Sequence, residues 1–139
     1  MKAIATIVTS LSLLFLTACA TNEVSDNGSP QVALTGDQLR SLGTGKTFEG
    51  RTSDGAHIRV YSSPDGKTSA SSRVASKTYT NTGMREIKDN SVCNYWNNPD
   101  WKNGCWTGTQ RGDTYYFKPT TSGLPSSEGK YLDGNPYNL

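Results

Sequence analysis

The stretch CNYWNNPDWKNGC, residues 93 to 105, concentrates the side chains best equipped for chemistry in this 139-residue chain. Two cysteines bracket two of its three tryptophans. Paired thiols can close a disulfide or begin a metal site, and indole rings can stack on a ligand or anchor a protein partner. Structural zinc sites draw on four ligands, yet the chain's single histidine, His57, is distant in sequence from both cysteines. A Cys93–Cys105 disulfide is therefore the expectation, and closing a loop of about a dozen residues contributes ~3 kcal/mol in the chain-entropy model. Neither a metal nor another cofactor is expected.

Catalysis needs proton-transferring or nucleophilic groups that converge. No G-x-S-x-G occurs, and His57 falls on the polar face of an alternating segment. Asp54, Asp65, Asp89, Asp113 and Asp133 adjoin Gly or Asn and read as turn formers. Arg111-Gly112-Asp113 likewise reads as a hairpin turn between two strand segments. Glu49 and Glu86 are the acids placed inside predicted strands, and acid and base work would require them to meet inside a barrel. With no convergent set visible, the sequence points away from an enzyme. The aromatic residues are the better candidates for binding: Tyr95, Trp96, Trp101, Trp106 and Tyr116 crowd one quarter of the chain. Trp101 stands out because it sits at a loop tip, between Pro99-Asp100 and Lys102-Asn103-Gly104, where strand burial does not account for it.

The N-terminus bears on where this chemistry would operate. An apolar run from Ile4 to Leu16 follows Lys2, too short for a spanning helix, which needs about 20 apolar residues, and suited to a secretory signal. Leu16-Thr17-Ala18-Cys19, directly after it, resembles the lipobox of bacterial lipoprotein precursors. That resemblance implies a signal peptide over residues 1–18, acylation of Cys19, and a periplasm-facing protein held to a membrane by lipid. Ala20, where an inner-membrane protein of that class would carry Asp, implies the outer membrane of a Gram-negative cell. Cys93 and Cys105 then remain as an even pair in an oxidising compartment. Residues 19–33 are poor in large apolar groups and rich in Ser, Asn, Asp, Gly and Pro, the composition of a tether.

Thr35 to Gly43 carries a capping hydroxyl, Gln at the reciprocal position and a terminal Gly, with Leu39 and Leu42 on one side, which predicts one short N-terminal helix. Ala56, Ile58 and Val60 alternate with His57, Arg59 and Tyr61, the period-2 pattern of a half-buried strand. Further strands are expected at 46–52, 67–74, 83–88, 91–96, 104–109 and 114–118, with turn residues at Asp54-Gly55, Pro64-Asp65-Gly66, Asn81 and Asp89-Asn90. The fold class is mainly β: an antiparallel up-and-down meander of about seven strands forming a small barrel or strongly curved sheet over residues 34–119. Residues 120–139, rich in Gly, Ser, Pro and Asn, read as a polar C-terminal tail that wraps the surface or frays.

The order Gly45-Lys46-Thr47-Phe48-Glu49-Gly50, Tyr61, Asp65-Gly66, Gly83, Cys93, Trp96, Cys105 and Gly112-Asp113-Thr114-Tyr115 is similar to a family of small exported proteobacterial proteins of unknown function. Met84 stands where that family tends to carry Trp. The resemblance implies export and this β fold, and assigns no catalytic residue.

The formal net charge of +2, with charges of both signs interspersed, gives no basic patch for nucleic acid. The function expected is a non-enzymatic binding or interaction module that meets an envelope protein or glycan through its aromatic loop. The alternatives are a lipocalin-like carrier of a small apolar ligand, which requires a wide cavity, an inhibitor or immunity-type protein, and an envelope hydrolase using Glu49, Glu86 or His57.

Overall fold

The computed structural model describes residues 29–139. The expected signal segment, the lipobox with Cys19 and most of the expected tether lie outside the described residues.

Helix α1 (Gly36–Gly43) forms where the capping residues predict it. The Thr35 hydroxyl accepts from the Gln38 amide, and the Gln38 side chain accepts in return from the Thr35 amide at 2.8 Å. These reciprocal bonds satisfy two of the donors a helix start leaves open. Leu39, fully buried, points into the protein. No described helix is long and apolar enough to cross a membrane.

Nine strands follow the chain: β1 (Val32–Ala33), β2 (Lys46–Thr52), β3 (His57–Ser62), β4 (Lys67–Val74), β5 (Lys77–Lys88), β6 (Ser91–Trp96), β7 (Gly104–Arg111), β8 (Thr114–Pro119) and β9 (Ser127–Asp133). Strands β2 to β9 pair antiparallel with their sequence neighbours, and β9 returns to β2, closing an eight-stranded up-and-down barrel. β1 pairs with Thr109 and Gln110 of β7, beyond the point where β6 has left that edge.

The meander, the single helix and the barrel agree with the sequence pattern, but the strand number is higher than expected and two differences have physical causes. The polar C-terminal segment is not a fraying tail: Lys46 to Thr52 pair residue by residue with Asp133 to Ser127. Its Ser, Gly and Lys residues disguised a strand whose outer face is wet and whose inner face carries Gly129 and Tyr131. Asn81 does not turn the chain either, but lies inside the twelve-residue β5 with 8% exposure.

Inward positions at the helix end of the barrel carry the large apolar groups. Leu34 and Leu39 pack with Phe48, Val92 and Phe117, and Phe48 meets Phe117 edge to face at 5.3 Å between ring centroids. Closure elsewhere depends on glycine. Gly50 and Gly129 face each other across the β2–β9 seam, and a Cβ on either would run into the facing strand's backbone, at the carbonyl of Glu128 or of Glu49. Only a residue without a side chain permits so close an approach.

Candidate functional site

The end opposite α1 is open. It is rimmed by the loops at 53–56, 75–76, 97–103 and 120–126, and the inward positions leading to it are small: Ala56, Ala70, Ser72 and Gly83. Strand alternation alone would fill a small barrel with side chains. Here the small residues leave a cavity of about 430 Å³, lined largely by apolar groups, among them Ile58, Val60, Phe117, Trp96 and Trp106. That volume lies within the roughly 300–1,000 Å³ of small-molecule sites.

The disulfide loop forms one wall of the mouth. Cys93 and Cys105 stand directly opposite on β6 and β7, 4.0 Å apart at Cα, and are bonded as expected. Between them the loop is pinned to β5 by asparagines. The buried Asn81 amide accepts from the Asn98 N–H at 3.1 Å and donates to the Asn98 carbonyl at 3.4 Å. Asn97 donates to the Thr82 hydroxyl at 3.0 Å, and the Asn103 side chain accepts from the Trp96 N–H at 2.7 Å. So held, Trp101 packs edge to face on Trp96 with ring centroids 5.1 Å apart. Trp101 is half-buried, and both rings line the cavity.

The loop at 120–126 forms the adjoining wall. Trp106 Nε1 donates to the Pro125 carbonyl at 3.0 Å, and Leu124 covers Gly104, where any Cβ would strike the leucine methyl. Leu124 and Pro125 also line the cavity, so part of the expected polar tail belongs to the site.

Near α1 the cavity meets Arg85 and Tyr131. Arg85 occupies an inward position of β5, in register with Asn94 of β6. Its Nη2 donates to the Leu39 carbonyl at 2.8 Å, and its guanidinium lies against Gly43, where a Cβ would displace it. Burial pushes the Arg85 pKa down, while the neighbouring Tyr131 opposes that shift. Burial pushes the Tyr131 hydroxyl up to about 12, against the pull of Arg85, so it stays protonated at neutral pH. Asn94 also lines the cavity, and its buried Oδ1 has no hydrogen-bond partner among the described residues.

Trp96, Trp101 and Trp106 thus come together at the cavity. Tyr95 and Tyr116 do not: Tyr95 faces outward, where its hydroxyl accepts from Lys88 at 2.8 Å, and Tyr116 lies beneath Arg111, 5.6 Å from the ring centroid to the guanidinium. Glu49 and Glu86 do not meet in the barrel. Both alternate outward, Glu86 beside Lys88 at 3.3 Å and Glu49 within a wall cluster near the C-terminus. In that cluster Glu49 accepts from Arg59 Nε and from the Tyr137 hydroxyl, each at 2.8 Å, while His57 Nε2 lies 3.5 Å away. Burial would raise the Glu49 pKa, but the bonds from Arg59 and Tyr137 hold it below the ordinary carboxylate range. Burial and the Arg59 charge lower that of His57.

The sequence reading passed over Arg85, Leu124, Tyr131 and the pinning role of Asn81. One signal was available: Gly83, Arg85 and Ile87 share a face of β5, which places a cation on an otherwise apolar inner surface.

No known protein family matches the chain, and no curated protein or solved structure matches it.

Proposed function

We propose that this barrel is a carrier for a small, largely apolar molecule, held in its cavity and admitted between the loops at 97–103 and 120–126. The observation that supports this reading is the cavity itself, about 430 Å³ with mostly apolar walls and three tryptophans beside it. In a compact protein such a space costs stability that filled packing would recover, so a lasting void is best explained by an occupant. The lipobox resemblance at Cys19 adds the setting: a lipid-anchored protein of the cell envelope, facing the periplasm. Aromatic docking of a protein partner draws less support, because Tyr95 and Trp101 lie on different faces.

The test is uptake of the apolar fluorophore N-phenyl-naphthylamine by the full chain carrying Cys19→Ser, which is recovered without detergent. The expected result is saturable binding that quenches tryptophan emission. Val60→Phe, which fills the cavity, abolishes uptake, and Tyr95→Ala on the outer wall leaves it unchanged. Equal uptake by Val60→Phe would place the fluorophore elsewhere and end the carrier reading.

A further inference from the structure

We infer that the cavity selects an elongated apolar acid, its carboxylate seated against Arg85 and Tyr131 and its apolar part lying toward Trp96, Trp101 and Leu124. This deepens the carrier reading and rests on it.

Arg85 brings a charge to the inner wall of the barrel. A guanidinium presents five N–H donors in a planar fork. This one donates to the Leu39 carbonyl and lies beside the Tyr131 hydroxyl. Among the described residues every ion pair lies elsewhere, and Arg85 has no carboxylate partner. The last turn of α1 offers it only the partial negative charge of a helix C-terminus. A cation facing an apolar cavity without a full counter-charge is costly, and an anion delivered by the ligand removes that cost.

Geometry narrows the anion. Among the described residues, Arg85 is the only charged side chain that lines the cavity near α1, the others, Asp54, Asp100 and Lys102, being on rim loops at the mouth. A single negative charge matches a single cation, and the planar carboxylate suits the guanidinium fork. Tyr131 adds a second donor: its hydroxyl, beside Arg85, keeps its proton at neutral pH and can donate it to the ligand. The lining between Arg85 and the mouth carries Val60, Phe117 and Trp106, which calls for an apolar body rather than a second polar group.

The competing account is that Arg85 only ties α1 to the barrel through Leu39. Paired ligands separate the two. Decanoate and decanol share one chain and differ in the head group, and both are titrated by calorimetry at neutral pH into the full chain carrying Cys19→Ser. The expected result is that decanoate binds tighter by about tenfold or more, the gain of a charge-assisted hydrogen bond over a neutral one. Arg85→Gln removes that preference, Arg85→Lys retains part of it, and Tyr131→Phe narrows the gap between decanoate and decanol. Equal binding of decanoate and decanol by the unsubstituted barrel overturns the inference while the carrier reading stands. If neither ligand nor N-phenyl-naphthylamine binds, both fall. Should Arg85→Gln fail to fold by circular dichroism, the paired ligands and Tyr131→Phe still decide the matter.

Discussion

Replacing Asn81 by Ala tests whether a single buried amide holds the mouth of the barrel in shape. Asn81 is 8% exposed and makes three hydrogen bonds, one from the Thr82 N–H at 2.8 Å and two to the backbone of Asn98. A typical intramolecular bond contributes about 0.5–1.5 kcal/mol net. Asn98 is exposed and regains water when the amide is removed, so the loss falls between one and three such bonds, about 1–3 kcal/mol. Most of that loss is local. The disulfide still joins the loop's ends, and Asn97 and Asn103 still hold it in part. Hydrogen exchange is the assay: protection of the Asn98 and Trp101 amides falls by roughly 10- to 100-fold, while amides of β2 and β9 keep theirs. Thr82→Val, which removes only the exposed bond to Asn97, has a smaller effect. Unchanged protection of the loop in Asn81→Ala would refute the pin, and an equal fall throughout the barrel would show that Asn81 supports the core instead.

Three other perturbations follow from the fold. Replacing both Cys93 and Cys105 by Ser lowers stability by ~3 kcal/mol, read from the urea midpoint; a midpoint that does not move would mean the β6–β7 register needs no staple. Gly129→Ala forces a methyl group against the Glu49 carbonyl, and because backbone must give way the cost is at the upper end of about 1–3 kcal/mol, measured as a lower melting temperature. Acid weakens the wall cluster in two steps. The lowered pKa of His57 makes the folded state resist protonation, so stability begins to fall as pH drops through the ordinary value of 6.5 and levels off below the folded one. The lowered pKa of Glu49 adds stability above its ordinary value of 4.5, lost as pH falls through the folded one. Melting temperatures across that range flatten in the upper step with His57→Gln and in the lower with Glu49→Gln; identical profiles would remove both groups from the acid response.

Much of the barrel was legible because its strands follow period-2 alternation and its helix carries a complete capping box. The alternation of Ala56, Ile58 and Val60 with His57, Arg59 and Tyr61 sorts this strand's inner and outer faces as the structure does. What escaped notice lacked a local signal. Val32 and Ala33 form a strand only because β6 leaves part of the β7 edge unpaired. Ser127 to Asp133 is too polar to stand out, and its place is set by β2 and β8 on either side. The outward turn of Glu49 was implicit in the pattern, since Phe48 takes the inward position, but the partnership with Tyr137 spans 88 residues of sequence. The tryptophans were found by composition; that Trp96 and Trp106 face the cavity while Tyr95 does not depends on strand face, and Trp101 joins them only through the folding of its loop.

The same residues that close the barrel also help to empty it. Gly50, Gly83 and Gly129 lie where neighbouring backbones approach too closely for any side chain, at the carbonyls of Glu128, Tyr95 and Glu49. An inward glycine fills nothing, so closure at these positions withholds volume from the interior. The large apolar residues then gather near α1, where Leu39 plugs one end and Phe48, Val92 and Phe117 pack beneath it. Core and cavity therefore lie end to end in one short barrel, with Phe48, Val92 and Phe117 at their shared boundary. Arg85 stands where they meet, tied through Leu39 to the plug and facing the cavity. If an acid binds there, its charge also meets the helix anchor, so ligand occupancy and the seating of α1 are coupled. The sign of that coupling is set by whether Arg85 keeps its bond to Leu39 when the carboxylate arrives, and five donors allow it to keep both.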